Sequence, residues 1–232
     1  MDCLVENLRV LIKIKSTDVQ KANSELLLGS CFQELGDFET AIDHLTASLD
    51  LFTVSSCDDK LESAQALFRL GICYCETDDY DISIEKFEKC LEIRRTHLGK
   101  LHADCANTYE SIGIVQQKRG RHEDAIHCFE RALAIKKACM EDCDEDFCVL
   151  LHFIGSSKYA LGRYTDAVHY FNDSVARKAR HYGRQDEDYA MSVIDQAAAY
   201  AKSGDESRSV EVSGSYLFSY HGDRTASLTN PV

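Results

Sequence analysis

The sequence contains no tryptophan, a single proline (Pro231) and no apolar run that approaches the length needed to cross a lipid bilayer. The scarcity of proline suits long helices, because proline removes a backbone donor and clashes with the preceding helical turn. The N-terminus has early acidic residues and no basic start followed by an apolar stretch, so we expect no secretory signal.

The charge balance is acidic. The chain has 39 Asp and Glu residues against 26 Lys and Arg residues, which gives a formal net charge of −13. A general binder of nucleic acid or of an anionic membrane needs a basic face, so this balance argues against both partners. Hydrophobic residues make up 44% of the chain, enough for a packed core. We expect a cytoplasmic helical protein and leave a cytoskeletal association open.

Sequence signatures of catalysis are missing as well. The chain has no glycine-rich phosphate loop, no Gly-x-Ser-x-Gly elbow and no His-Glu-x-x-His helix. Paired acids such as Glu123 and Asp124 fall on helix surfaces that we assign to solvent. We therefore expect neither an enzyme nor a bound cofactor.

What the sequence does contain is a repeat, in which small residues recur 42 positions apart and other residues follow the same period. The aligned positions, called columns below, are Gly29, Gly71, Gly113, Gly155 and Ala197; Gly36, Asp78, Gly120 and Gly162; Ala41, Ser83, Ala125 and Ala167; and Leu45, Phe87, Phe129 and Phe171. A fixed period in this range is typical of a solenoid, in which each repeat packs on its neighbours.

Each column has a physical role in a hairpin of two antiparallel helices. Glycine just beyond a helix end adopts the left-handed conformation that stops the helix, and Asp78 is a weaker substitute. Small residues in the Gly29 and Ala41 columns let the two helices cross closely, and the large residues of the Leu45 column fill the space beside the crossing. The sequence thus predicts an all-α solenoid of antiparallel helix pairs.

The segments LGSCFQELGDFETAIDHL and IGSSKYALGRYTDAVHYF resemble the tetratricopeptide repeat. The long period and the lead-in LEIRRTHLGKLHADCANTY are similar to the kinesin light chain and nephrocystin-3 group. Asp104, Asp146 and Asp188 match an Asp in that group's linker, although the proline that the group prefers one residue earlier is absent. The resemblance covers about residues 16–204 and implies a tetratricopeptide-type α-solenoid with a concave groove.

The period also predicts where the helices lie. We expect helix pairs at 18–35 with 38–54, 60–77 with 80–97, 102–119 with 122–139, and 144–161 with 164–182, then a lone first helix at 187–203. This divides the chain into a remnant helix of a preceding repeat (1–15), the repeat array (16–204) and a Ser-rich irregular tail (205–232). The tail is expected to be disordered or loosely docked. A short helix in it, over the apolar edge around Ala198 and Tyr200, is left open.

Eleven cysteines raise the question of disulfides or metal. Without a secretory signal we expect a reducing compartment, and four of the cysteines fall in columns of small buried residues. The sharpest metal candidate is the set Cys139, Cys143, Cys148 and His152, which has zinc-ligand residue types. However, Cys148 falls in an Ala column that should point inward, so we expect free thiols and no metal.

Basic pairs recur near the ends of the second helices, at Arg94-Arg95, Lys136-Lys137 and Arg177-Lys178. Our preferred interpretation is that they offset the negative pole of the helix dipole. The alternative is a ridge on the outer helices that binds an acidic partner.

In a tetratricopeptide array the first helix of each pair lines the concave groove. The groove residues predicted from this register are Asn23, Leu26, Ser30, Gln33, Gln65, Phe68, Ile72, Asn107, Glu110, Ile114, Gln117, His152, Ser156 and Tyr159. Amides can bond a peptide backbone, and Phe68, Ile72 and Ile114 can seat side chains. The plainer alternative is that mildly polar residues only keep the groove soluble.

We predict a non-catalytic scaffold that binds a peptide or protein segment in this groove; the alternative is a regulatory repeat array that is a fragment of a larger signalling or enzymatic protein. The kinesin light chain group takes acidic, aromatic-bearing cargo peptides through Asn and basic side chains. The matching positions here hold no ladder of Asn, and Arg69 is the only firm cation among them. With a net charge of −13, we expect a ligand with apolar anchors and neutral or basic flanks.

Overall fold

A computed structural model of the chain describes residues 17–54, 60–139, 144–184 and 186–216, and these ranges contain helices and no strand. The helices are α1 (Asp18–Glu34), α2 (Phe38–Val54), α3 (Lys60–Glu76), α4 (Tyr80–His97), α5 (Ala103–Lys118), α6 (His122–Cys139), α7 (Asp144–Ala160), α8 (Tyr164–His181), α9 (Glu187–Ser203) and α10 (206–216). The predicted all-α fold of consecutive helix pairs is confirmed, and the bounds of α1 to α9 agree with the predicted ones to within one residue. The remnant helix predicted at 1–15 lies outside the described residues.

The chain divides into two compact units, which we call the N-terminal unit (1–115) and the C-terminal unit (116–232). The N-terminal unit contains α1 to α4 and most of α5, and the C-terminal unit contains α6 to α10. Each is built from the same hairpin, in which a first helix and a second helix pack along their length.

The close helix crossing predicted from the glycine column is present in both units. A Cβ atom added at Gly71 would lie 2.7 Å from the ring of Phe87, and one added at Gly155 would lie 3.0 Å from the ring of Phe171. Both rings are fully buried at 1% exposure. Each ring therefore occupies the volume that a side chain on the facing helix would need.

We expect Gly71→Ala to lower the free energy of unfolding by about 1–2 kcal/mol. The added methyl group must displace the buried Phe87 ring, at a cost of about 1–3 kcal/mol, while alanine returns up to about 1 kcal/mol of helix propensity. Urea denaturation of the two proteins measures the difference. Combining the change with Phe87→Leu should recover part of the loss, and strictly additive effects would show that the ring is not the obstacle.

The turns between paired helices follow the prediction too. Gly36, Gly120 and Gly162 have φ of 77°, 75° and 74°, and Asp78 takes the same left-handed conformation with φ of 63°. The Asp78 carboxylate accepts a hydrogen bond from the Tyr80 hydroxyl over 2.5 Å. This local bond supports a conformation that non-glycine residues seldom adopt.

The repeat array was expected to end at residue 204, but the segment after Gly204 is helical. Gly204 has φ of 91°, and α10 then runs over 206–216, where we expected a lone first helix followed by an irregular tail. The Ser209 hydroxyl donates to the carbonyl of Ala197 over 2.9 Å, as the Ser83 hydroxyl does to the carbonyl of Gly71 over 2.7 Å. The short helix that we allowed in the tail is thus the second helix of a fifth repeat.

Val212 places α10 against the apolar cluster that contains Phe171 and Tyr200. The signal was available in the sequence, because Gly204 and Ser209 stand one period after Gly162 and Ala167. The sequence pattern did not indicate this helix, because Ser213, one period after Phe171, is a small residue. Residues 217–232 lie outside the described part.

Cations in the last turns of the second helices reach forward to the next helix. The Arg94 guanidinium donates to the carbonyl of Asp104 over 2.9 Å, and the Lys178 ammonium to the carbonyl of Asp188 over 3.2 Å. The Lys136 ammonium lies 2.7 Å from a carboxylate oxygen of Asp146. These contacts, which we call the clasps, each span ten residues of sequence across a linker.

The clasps withdraw one cation of each basic pair from the ridge interpretation, while Arg95 and Lys137 remain exposed. Lys136 and Lys178 are only 3% and 6% exposed, so they do not belong to a solvent-facing ridge. Their positions in the last helical turn agree with the dipole interpretation. The dipole, however, does not explain why the cations are buried, which follows from their reach to the next helix.

Candidate functional site

A cavity of about 540 Å³ opens on the first-helix side of the N-terminal unit. Helix α3 supplies Gln65, Phe68, Arg69 and Ile72, whose spacing of three and four residues places them along one face. Gln33 joins them from the end of α1. Four residues of the predicted groove therefore meet at one cavity.

Phe68 is the largest apolar group of this cavity, and it is held on two sides. The Phe87 ring meets it edge to face at 5.4 Å between centroids, and the Arg94 guanidinium lies 4.6 Å above its centre. Arg94 is itself fixed by the carbonyl of Asp104 and by the Thr108 hydroxyl, 2.8 Å away. Phe68 stays half-buried, so a fixed aromatic surface faces the cavity.

The polar lining is close to electrically balanced. Two guanidinium groups, Arg69 and Arg94, face three carboxylates, which belong to Glu34, Glu62 and Asp104. Arg69 donates to the side-chain oxygen of Gln33 over 3.1 Å. Both cations thus already hold partners inside the protein, and the lining as a whole carries a slight excess of negative charge.

Other predicted groove residues of the N-terminal unit lie apart from this cavity. Asn23 and Asn107 are exposed, while Ser30, Glu110 and Ile114 are half-buried, and none of these five lines it. The Ser30 hydroxyl donates to the carbonyl of Leu26 within its own helix, over 2.7 Å.

The prediction that Leu26 lines the groove is wrong, because Leu26 is buried. It is only 8% exposed and belongs to a core cluster with Leu45 and Leu70. The register gave the correct face of α1, but helix α3 packs against that face and covers Leu26. The sequence analysis missed Arg94 as a cavity residue, because a cation in the last helical turn reads equally well as a partner of the helix dipole.

In the C-terminal unit, His152 is drawn into the packing between α7 and α9. Its Nε2 atom lies 3.3 Å from the Asp195 carboxylate, and its Nδ1 atom lies 3.3 Å from the Ser192 hydroxyl. Burial lowers the pKa of His152, and the charge of Lys178 adds to this, while Asp195 and Asp188 oppose it. The neutral imidazole is therefore favoured.

The remaining predicted residues of this unit are partly buried. Gln117 donates to the Ser157 hydroxyl over 3.2 Å, and the Tyr159 ring contacts Tyr164 edge to face with centroids 5.2 Å apart. Ser156 is half-buried. Gln117 and Tyr159 therefore contact other side chains of the C-terminal unit.

Helix α9 carries two exposed apolar side chains at positions equivalent to groove positions of α7, and we did not include them in the predicted groove. Met191 and Ile194 are each 55% exposed, and they stand one period after Val149 and His152. We ended the groove at the fourth repeat, although extending the period by one step identifies both residues.

Three of the four residues considered as zinc ligands, Cys139, Cys148 and His152, lie in the described part of the chain. Cys139 is exposed at the end of α6, Cys148 is fully buried in α7 as its Ala column predicts, and Cys143 lies outside the described residues. Within the described ranges, no group of three or more His, Cys, Asp or Glu side chains is placed to hold a metal ion. Burial raises the pKa of Cys73 and of Cys90 to about 11, so both thiols stay protonated and unreactive at neutral pH.

None of the described helices combines the length and the apolar character that a membrane span requires.

Comparison with sequence families gives two overlapping matches to the tetratricopeptide repeat, at residues 20–96 and 62–138, which together span more than half of the chain. Comparison with curated proteins gives no match. Three solved structures illustrate the similarity of fold. A kinesin light chain-type protein from Podosopora anserina, with nearly identical TPR-like repeats, superimposes with a TM-score of 0.72 at 16% identity over 88% of this chain and 96% of its own.

The second structure is BtubC (BKLC) from P. vanneervenii, with a TM-score of 0.77 and 17% identity over 98% of this chain and 89% of its own. The third is YrrB, described as a TPR protein with an unusual peptide-binding site. It gives a TM-score of 0.62 and 16% identity over 97% of both chains. At these identities the structures support the fold alone.

Proposed function

Because the chain belongs to the tetratricopeptide repeat family, we propose that it is a non-catalytic interaction scaffold whose cavity around Phe68 binds a peptide segment of a partner protein. The observation that carries this proposal is the fixed, half-buried aromatic surface of Phe68 at the cavity. Aromatic anchors in a formed recess commonly supply most of the binding energy of an interface.

The cavity offers both kinds of contact that an extended peptide needs. Phe68 and Ile72 can pack against apolar side chains, while the amides of Gln33 and Gln65 can pair with backbone groups. YrrB, a structural neighbour, carries a peptide-binding site by its own description, which makes this use of the fold reasonable here.

The charges favour a peptide with apolar anchors and neutral or basic flanks. Arg69 and Arg94 are engaged with Gln33 and with the start of α5, so an acidic peptide would have to compete for them. The three carboxylates of the lining and the net charge of −13 repel acidic flanks at longer range. This differs from the acidic cargo that the kinesin light chain resemblance implies.

The proposal is tested with peptides selected from a random phage-displayed library on the full chain. We expect Phe68→Ala to weaken binding of the selected peptides that have apolar anchors and neutral or basic flanks by more than about 1 kcal/mol, or roughly fivefold in Kd, as measured by fluorescence anisotropy. Leu101→Ala is the matched control, because Leu101 is 61% exposed and lies outside the cavity. Circular dichroism establishes that both variants remain folded.

Two outcomes contradict the proposal. Selected peptides with neutral or basic flanks that bind Phe68→Ala as well as the wild type, or a selection that enriches no peptide of this class, would remove the cavity as the binding site. Tight, salt-sensitive binding of an acidic tryptophan-containing peptide that is lost in Phe68→Ala and retained in Lys86→Glu/Lys89→Glu would instead refute the proposed ligand chemistry and favour the cargo type of the kinesin light chain group.

A further inference from the structure

A second recess of about 720 Å³ lies elsewhere on the N-terminal unit, between α2, α3 and α4. Its floor is apolar, with Leu49 and Ile93 half-buried and Phe52 and Leu67 deeper at 4% and 5% exposure, and lysine side chains surround it. We call it the lysine-rimmed cleft, and its lining residues are Leu49, Phe52, Thr53, Lys60, Ser63, Leu67, Lys86, Lys89, Glu92 and Ile93. None of them lines the cavity around Phe68.

The repeat register explains why a cleft exists at this junction. Phe52 stands one period before Arg94, so the cation that forms a clasp at later junctions is replaced here by an apolar ring. Ser63 stands in the column of Phe147 and Tyr189, and Phe147 is only 6% exposed in its own repeat. A small side chain and a missing clasp together leave an unfilled apolar space.

The rim of the cleft is positively charged in an otherwise acidic chain. Lys60, Lys86 and Lys89 face it, against the single carboxylate of Glu92. Glu85, on the same helix α4, pairs with Lys89 at 2.7 Å and with Lys86 at 3.5 Å, and this reduces the excess without removing it. The lysine side chains differ in exposure: that of Lys89 is 56% exposed and that of Lys86 is 22% exposed, while Lys60 is exposed at the start of α3.

We propose that the lysine-rimmed cleft is a docking surface for an acidic amphipathic segment of a partner protein. Apolar side chains of that segment would enter between Phe52 and Ile93, and its carboxylates would pair with Lys86 and Lys89. The segment has to contact both the apolar floor and the lysines of the rim. Exposed ion pairs alone add little binding free energy, and burial of apolar side chains alone does not select an acidic segment.

An anionic membrane surface is the less suitable occupant. The apolar groups lie in a recess between three helices rather than on a protruding face, which suits inserted side chains better than a bilayer. The net charge of −13 would also repel an anionic bilayer, whereas a short segment meets only the local charge of the rim.

The test selects peptides from a random phage-displayed library on the full chain and measures each by fluorescence anisotropy. We expect a class that is rich in Asp or Glu together with Leu, Ile or Phe. These peptides should lose at least about tenfold in affinity for the double variant Lys86→Glu/Lys89→Glu. The control Lys137→Glu/Lys202→Glu has the same net charge, changes exposed lysines of the C-terminal unit, and should bind like the wild type.

A second variant tests the cleft without changing charge. Ser63→Tyr introduces the residue that stands in the same column three periods later, at Tyr189, so it should fill the recess and abolish binding while the helical content is unchanged. Ile72→Ala should leave these affinities unchanged, because Ile72 lines the cavity around Phe68 and does not belong to the apolar cluster around Leu67. This variant therefore separates the cleft from the cavity of the proposed function.

Three outcomes overturn the proposal. The first is a selection that yields no acidic and apolar class, and the second is acidic peptides that bind Ser63→Tyr and the charge reversal as well as the wild type. The third is flotation of the wild type with phosphatidylserine vesicles that is lost in Lys86→Glu/Lys89→Glu, which would assign the lysines to a membrane surface.

Discussion

Phe87→Ala is expected to lower the free energy of unfolding by about 3–5 kcal/mol, the usual cost of removing a fully buried aromatic ring. The ring is 1% exposed, lies against the bare backbone of Gly71 and supports the edge of Phe68. Because Gly71 has no side chain that can move inward, the space left by the ring stays open. Urea denaturation followed by circular dichroism measures the loss.

Two further variants control for the chemistry of this change. Ile82→Ala alters the same helix at a position that is 39% exposed, and it should cost much less. Phe87→Leu supplies the residue that the first repeat has at Leu45, and we expect a loss of about 1.5 kcal/mol or less. If Phe87→Ala and Ile82→Ala destabilised the protein equally, the ring would not be the centre of the hairpin.

The second large effect is expected at Asp146. Asp146→Ala should cost about 1–3 kcal/mol, because it removes a carboxylate that lies 2.7 Å from the Lys136 ammonium; the Lys136 side chain is only 4% exposed, whereas the Asp146 side chain is 34% exposed. Lys136→Met should cost much less, since it removes the buried charge itself and keeps the packing volume. Thermal or urea unfolding of the two variants gives the comparison.

Asp104 provides a matched control for Asp146. Both residues lie in the first turn of a helix and share one column, so both variants lose the same interaction with the helix dipole. At Asp104, however, the clasp cation bonds the backbone carbonyl, which Asp104→Ala retains. Equal losses at the two positions would show that the dipole, and not the buried lysine, sets the cost.

The fold could be predicted from the sequence because the chain repeats itself. Gly71 and Phe87 each recur in the same place in other repeats, and a recurring small and large pair has a direct meaning in a helix crossing. The fifth repeat was truncated in the prediction because Ser213 replaces the large residue, although Gly204 and Ser209 keep the period.

The candidate site could be predicted only in part. The register gives the face of a helix on which a residue lies, and this placed Phe68 and Ile72 at the cavity. The register does not give how deeply a residue is buried. For this reason Leu26 was expected in the groove, whereas it lies in the core. Nor does the register show where a long side chain ends, and for this reason Arg94 was missed as the cation above Phe68.

The clasps also show which short stretches of sequence determine how one repeat is joined to the next. Each cation and its acceptor stand ten residues apart on either side of a linker, so the window 94–104, 136–146 or 178–188 contains both halves of its joint. The hairpin columns lie outside these windows. Substitutions within a window can therefore change a joint and leave the hairpin columns as they are, and the window 52–62 has Phe52 where the other windows have the cation.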